Sequence, residues 1–137
     1  MLRIAEHWHG SDLGRQRQGN EDNFFVRAPL FVVADGMGGA QAGEVASEMA
    51  VKSFEPGLGE GAPAQSLVRV IEGANRRIHD RSRTDEQRAG MGTTVTAAYV
   101  DEADVVVAHV GDSRAYLWRG GDLIRLTKDH SLVGELV

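Results

Sequence analysis

With 137 residues the chain has room for one domain with a sizeable core, not for two typical ones. Fifteen Lys and Arg against 20 Asp and Glu give 15 − 20 = −5 with no basic block, which argues against nucleic-acid binding as the main role. The absence of cysteine excludes disulfides, thiolate zinc sites and cysteine nucleophiles and suits a reducing compartment, so the expected location is cytoplasmic; no signal peptide or membrane-spanning run is evident.

Residues 2–8 alternate loosely and are expected to form a first strand, with His7 and His9 on one face of it as ordinary surface residues. Turn chemistry follows at residues 10–14, then a densely polar stretch at residues 15–22 that either is solvated or delivers Arg17, Glu21 and Asp22 to one place. Residues 23–27 read as a strand and residues 30–34, Leu-Phe-Val-Val-Ala, as a second one buried on both faces. Only Ala28 and Pro29 separate the two, which favours an antiparallel hairpin because a parallel crossover needs a dozen residues or more. In that hairpin Glu21 and Asp22 lie at the same edge of the sheet as Asp35.

Helix formers dominate residues 41–54, with Val45 and Met49 spaced i, i+4 beside alanines 42, 46 and 50. After a breaker-rich link, Leu67, Val70, Ile71, Ala74 and Ile78 make the apolar stripe of a second helix, with His79 at its boundary. Strands are expected from Gly90 through Val100 and over residues 104–110, then a hairpin of residues 115–119 and 122–126 around Gly120-Gly121. Asp129 or Ser131 is placed to cap a last helix over residues 132–137. That helix stops after about one turn, marginal alone, so the chain is expected to be a fragment of a longer domain.

The apolar run at residues 30–34 ends on Asp35, followed by Gly36, Gly38 and Gly39 around Met37. Missing Cβ atoms permit φ > 0 and close backbone approach, so the loop suits a hard cation or a phosphate. A plain turn after a buried strand fits these residues equally well, because a lone glycine-rich loop is a weak motif. Gly111-Asp112-Ser113-Arg114 places another aspartate at a strand exit after a glycine.

The motifs combine in order: Ser11-Asp12-x-Gly14-x-x-Arg17-x-x-Asn20-Glu21-Asp22, Val33-Ala34-Asp35-Gly36-Met37-Gly38-Gly39, Gly43-Glu44-x-Ala46-Ser47, Gly92-Thr93-Thr94, Gly111-Asp112-Ser113-Arg114 and Leu126-Thr127-x-Asp129-His130-Ser131. In them the chain resembles the N-terminal half of the catalytic domain of a bacterial protein phosphatase of the PP2C (PPM) family. The resemblance implies an α+β fold: a four-layer α-β-β-α sandwich of two antiparallel sheets flanked by helices, incomplete at the C-terminus, with residues 1–137 forming the N-terminal portion of one phosphatase domain. It implies two Mn²⁺ or Mg²⁺ ions, with a third weaker one. Asp35 matches the aspartate that bridges two metals and Gly36 the carbonyl that ligates one. Asp112 matches the aspartate of the third site, Glu21 a residue that orients metal-bound water, with Asp22 beside it, and Arg17 the arginine that grips the substrate phosphate.

The chemistry suits these types. Mg²⁺ and Mn²⁺ are hard and prefer carboxylate, carbonyl and water oxygens, and Arg grips a phosphate bidentately where Lys cannot. The activity implied is metal-dependent hydrolysis of phosphoserine and phosphothreonine in proteins by a metal-activated water, opposing a bacterial Ser/Thr kinase. The alternative is a noncatalytic phosphoprotein-binding or regulatory module of the same fold. Met37 and Ala40 stand where relatives carry histidines, so a general acid in that loop is unsupported, and His130 is a substitute without independent support. Two further metal aspartates of the family belong to segments beyond Ser131, so the fragment alone is expected to be inactive.

Overall fold

A computed structural model describes residues 2–11, 21–38, 40–84, 90–129 and 133–136. Ten elements follow along them: β1 (Asp22–Arg27), β2 (Leu30–Met37), α1 (Ala40–Lys52), α2 (Pro63–Thr84), β3 (Gly92–Thr93), β4 (Val95–Val100), β5 (Val105–Val110), β6 (Tyr116–Arg119), β7 (Asp122–Arg125) and β8 (Val133–Leu136). The larger sheet runs β1-β2-β4-β5-β8, with the short β3 also on β2, and every pairing is antiparallel. A second sheet is the β6–β7 hairpin, turned at Gly120-Gly121 with φ of 58° and 84°, left-handed values that glycine adopts without a Cβ clash.

The register separates the two faces of the larger sheet. Leu30, Val32, Ala34, Val95, Ala97, Val106 and Ala108 share one face and form the core with α1 and α2. The helices meet it as their patterns require. Ala42, Ala46 and Ala50 are buried and let α1 lie close to the strands, with Val45 and Met49 only partly covered at the flank. From α2, Leu67, Ile71, Ala74 and Ile78 are buried, Val70 is half-buried and His79 is exposed. Pro63 opens α2 at the first helical position, where its missing N–H costs nothing. Beyond α1, Ser53 donates its hydroxyl to the Met49 carbonyl at 2.8 Å and accepts from the Arg77 guanidinium at 2.6 Å, tying α1 to α2.

The opposite face carries Asp22, Phe24, Phe31, Val33 and Asp35. Residues 2–10 cross this face: the His7 ring meets Phe31 edge-on at 5.3 Å and the His9 ring lies 4.8 Å from Phe24. This segment is not the strand expected from its alternation. Its side chains rest on aromatic rings instead of following a ladder, although the Leu2 amide donates to the Glu102 carbonyl at 2.7 Å. The expected C-terminal helix is also absent. Residues 133–136 form strand β8 on the free edge of β5, with Val105 opposite Leu136. One helical turn fixes several residues for a single hydrogen bond, whereas a paired edge supplies a bond at alternate residues from the start. Of the two expected caps, Ser131 lies outside the described residues and the Asp129 carboxylate accepts from Arg114 and Arg125 instead.

Candidate active site

The two-residue turn at Ala28-Pro29 fixes the β1–β2 register, and that register sets Asp22 directly opposite Asp35 at the far end of the hairpin. Directly opposed residues point to the same face with Cβ atoms about 5 Å apart. Both carboxylates line a cavity of about 270 Å³, together with Ser11, Asn23 and Ser113. Like charges opposed across neighbouring strands repel; a cation between them converts that repulsion into attraction.

Glu21 immediately precedes β1. Its carbonyl accepts the Gly36 N–H at 3.1 Å, and its side chain reaches the first turns of α1. A Cβ on Gly43 would stand 2.7 Å from the Glu21 Cδ, so the carboxylate occupies the space that this glycine leaves. Gly36 has a different reason to be glycine. A Cβ there would come within 2.5 Å of the Gly43 carbonyl carbon and 2.9 Å of its Cα, so α1 packs directly on the backbone that follows Asp35. Glycine inside a helix costs about 1 kcal/mol relative to alanine, and the close approach at Gly43 accounts for tolerating it. Gly38 takes φ of 114°, the left-handed region the loop was expected to use; Gly39 lies outside the described residues.

Asp112 is exposed in the loop after β5 and is not among the residues lining the cavity, but its neighbour Ser113 is. Beyond it, Arg114 donates from Nε at 3.3 Å and from a terminal nitrogen at 3.1 Å to the two Asp129 carboxylate oxygens, and Arg125 also donates to Asp129. The hydrogen bond to Asp129 is the main cause that holds the Arg114 guanidinium above its ordinary range. These contacts fasten the stem of the β6–β7 hairpin, as does His109 on β5, whose Nε2 bonds the Lys128 carbonyl at 2.6 Å.

The structure thus brings Asp22, Asp35 and Ser113 to one cavity, with Glu21 and Gly36 as their chain neighbours, joined by a backbone hydrogen bond but not among the lining residues. Arg17 and His130 lie outside the described residues. Three contributors escaped the sequence reading: Gly43, Ser113 and Thr94. All three stand within motifs, but only their spatial neighbours reveal what they do. The donors are hard oxygens, which fits Mn²⁺ or Mg²⁺ in kind. In number they are a partial set, since among the described residues no three acidic or histidine side chains converge on one point.

Comparison with known proteins places these observations. Residues 11–135 match the family model described as Protein phosphatase 2C. Among curated proteins, the serine/threonine phosphatase stp of Listeria monocytogenes serotype 4b is 42% identical over 139 residues, a match covering 93% of this chain and 55% of that protein. The serine/threonine protein phosphatase PstP of Mycobacterium tuberculosis is 38% identical over 131 residues, covering 93% of this chain and 25% of that one. The chain therefore spans about half the length of the first relative and a quarter of the second. In three dimensions it superposes on the PstP catalytic domain in complex with two manganese ions with a TM-score of 0.80 at 36% identity, over 88% of this chain and 54% of that one. Stp1 of Staphylococcus aureus gives 0.75 at 32% identity, over 94% and 58%.

Proposed function

Because the chain belongs to the protein phosphatase 2C family, we propose that the protein hydrolyses phosphoserine and phosphothreonine in other proteins with the help of two divalent cations, Mn²⁺ or Mg²⁺. The observation that carries this reading is the placement of Asp35: near the end of the central strand β2, whose one face is buried, opposite Asp22, in a cavity that Ser113 also lines. The manganese-bound PstP catalytic domain, similar over most of this chain, supports it.

Asp35 and the Gly36 carbonyl would hold the ions, with Asp112 at a third and weaker position. When bound, such ions lower the pKa of water and neutralise charge on a phosphoryl group. The residues of this chain supply the rest. Asp22 and the Glu21 carboxylate orient water by accepting its hydrogen bonds, the latter fixed by the space at Gly43. Arg17 binds the phosphate oxygens as a two-pronged donor. Proton delivery to the departing serine or threonine oxygen is assigned to no side chain of the glycine loop, where Met37 lies 52% exposed and carries no proton.

In this reading residues 1–137 are the N-terminal portion of one phosphatase domain, the natural substrates are phosphoproteins, and the cellular opponent is a Ser/Thr kinase in the same cytoplasmic signalling system. Among the described residues no helix is long and apolar enough to cross a membrane. The test is hydrolysis of p-nitrophenyl phosphate and of a phosphothreonine peptide by the full-length protein, with Mn²⁺ and with a chelator. Turnover only with the metal is expected. Phosphopeptide binding without turnover in either condition would favour the noncatalytic binding module instead.

A further inference from the structure

We infer that Thr94 is a positioning residue that locks the loop carrying Asp112 onto the strand end carrying Asp35; the inference rests on the metal-dependent reading of this site. Thr94 sits between β3 and β4 and is 2% exposed. Its backbone N–H donates to the Asp35 carbonyl at 2.9 Å, and its hydroxyl oxygen accepts the Asp35 N–H at 3.1 Å. Both backbone polar groups of Asp35 therefore end on one residue. The same hydroxyl lies 2.7 Å from the Ser113 hydroxyl, and either can donate to the other. Its methyl group faces Gly111, where a Cβ would stand 2.7 Å from Thr94 Cγ2 and where φ is 104°.

Thr94 thus grips both neighbours of Asp112, Gly111 through its methyl group and Ser113 through its hydroxyl. No other residue type offers both groups at one Cβ. Serine keeps the hydroxyl and loses the methyl; valine keeps the shape and loses the hydrogen bonds. The contacts join segments far apart in the chain, since Asp35 and Thr94 are 59 positions apart and Thr94 and Ser113 a further 19. Two carboxylates on separate segments present a cation site of fixed spacing only if those segments are fixed to each other, and groups that hold metal ligands in place commonly govern affinity by tenfold or more.

The experiment is calorimetric titration of the metal-free full-length protein with Mn²⁺, alongside thermal unfolding in chelator as the control for stability. Thr94→Val and Ser113→Ala should each weaken Mn²⁺ binding by about tenfold, and Thr94→Ser should restore most of it. A purely structural Thr94 would lower the unfolding temperature of Thr94→Val in chelator and leave the Mn²⁺ affinity of the folded protein unchanged, and that result overturns the inference. If Thr94→Val does not fold, Ser113→Ala decides alone: weakened binding supports the coupling and wild-type binding overturns it. Asp35→Asn in the same titration separates the two levels. If it retains wild-type Mn²⁺ binding, the metal reading fails and Thr94 with it; if it loses binding while Thr94→Val and Ser113→Ala keep theirs, only the role of Thr94 is overturned.

Discussion

Replacing each of the two glycines that meet behind Asp35 by alanine should separate packing from positioning. At Gly36 the new methyl would be driven into backbone, with the Gly43 carbonyl carbon at 2.5 Å and its Cα at 2.9 Å. Neither atom can move without displacing α1, whose Ala42, Ala46 and Ala50 are packed into the core. Overpacking of this kind costs about 1–3 kcal/mol, and rigid backbone on the opposing side puts Gly36→Ala at the upper end. For a domain of 150–250 residues 1 kcal/mol corresponds to about 2–4 °C in Tm, so a fall of roughly 4–12 °C is expected. At Gly43 the nearest obstacle is different: the methyl meets the carboxylate end of Glu21, with Cδ at 2.7 Å, and only then backbone, the Gly36 carbonyl carbon at 3.0 Å. The Glu21 end can swing away, and alanine returns about 1 kcal/mol of helix propensity. Gly43→Ala should therefore lower Tm less than Gly36→Ala does while displacing Glu21, with a loss in kcat of about ten- to a hundredfold from misplacement alone. Differential scanning calorimetry and Mn²⁺-dependent turnover of a phosphopeptide, on full-length variants, read the two quantities. If Gly43→Ala unfolds as early as Gly36→Ala but turns over normally per folded molecule, the assignment of Glu21 to that space is refuted.

Asp35→Asn should abolish Mn²⁺-dependent turnover with little change in Tm, because the two hydrogen bonds between its backbone and Thr94 survive the substitution; near-normal metal-dependent activity would remove Asp35 from the site. Arg17→Ala should weaken substrate binding by about 1.5–3 kcal/mol, the range for a lost charged hydrogen bond, seen as a raised KM. Unchanged KM and kcat would return Arg17 to the surface. Residues 1–137 expressed alone should associate on size exclusion, since Trp8 is 88% and Trp118 68% exposed and a mainly apolar hollow of about 360 Å³ opens beside Phe24, Phe31 and Val33. A monodisperse monomer binding two Mn²⁺ would contradict that expectation.

Short-range signals in the sequence were dependable. A two-residue link at Ala28-Pro29 leaves β1 and β2 almost no option but a hairpin, and from there the meeting of Asp22 and Asp35 is a matter of counting. The stripe on α2 is equally direct, because a helix twenty-two residues long repeats its message often enough to be read. What failed was set by neighbours distant in sequence. Residues 2–8 alternate as a strand would, yet the rings of Phe24 and Phe31 hold His9 and His7. Residues 133–136 pair with an edge that the local pattern does not advertise. Gly43 has no side chain and Thr94 only a neutral hydroxyl, so a search for charged ligands passes over them; their meaning lies in what stands next to them.

Strand β2 has β1 on one edge and both β3 and β4 on the other. Amides held between two partners in the middle of a sheet are released to solvent only by large openings of the domain, whereas edge strands such as β8 and the tips of hairpins exchange through small, frequent ones. In deuterium exchange the backbone around residues 31–35 should accordingly be among the last to label. The Asp35 carboxylate is thus attached to the part of the molecule that thermal fluctuation visits least.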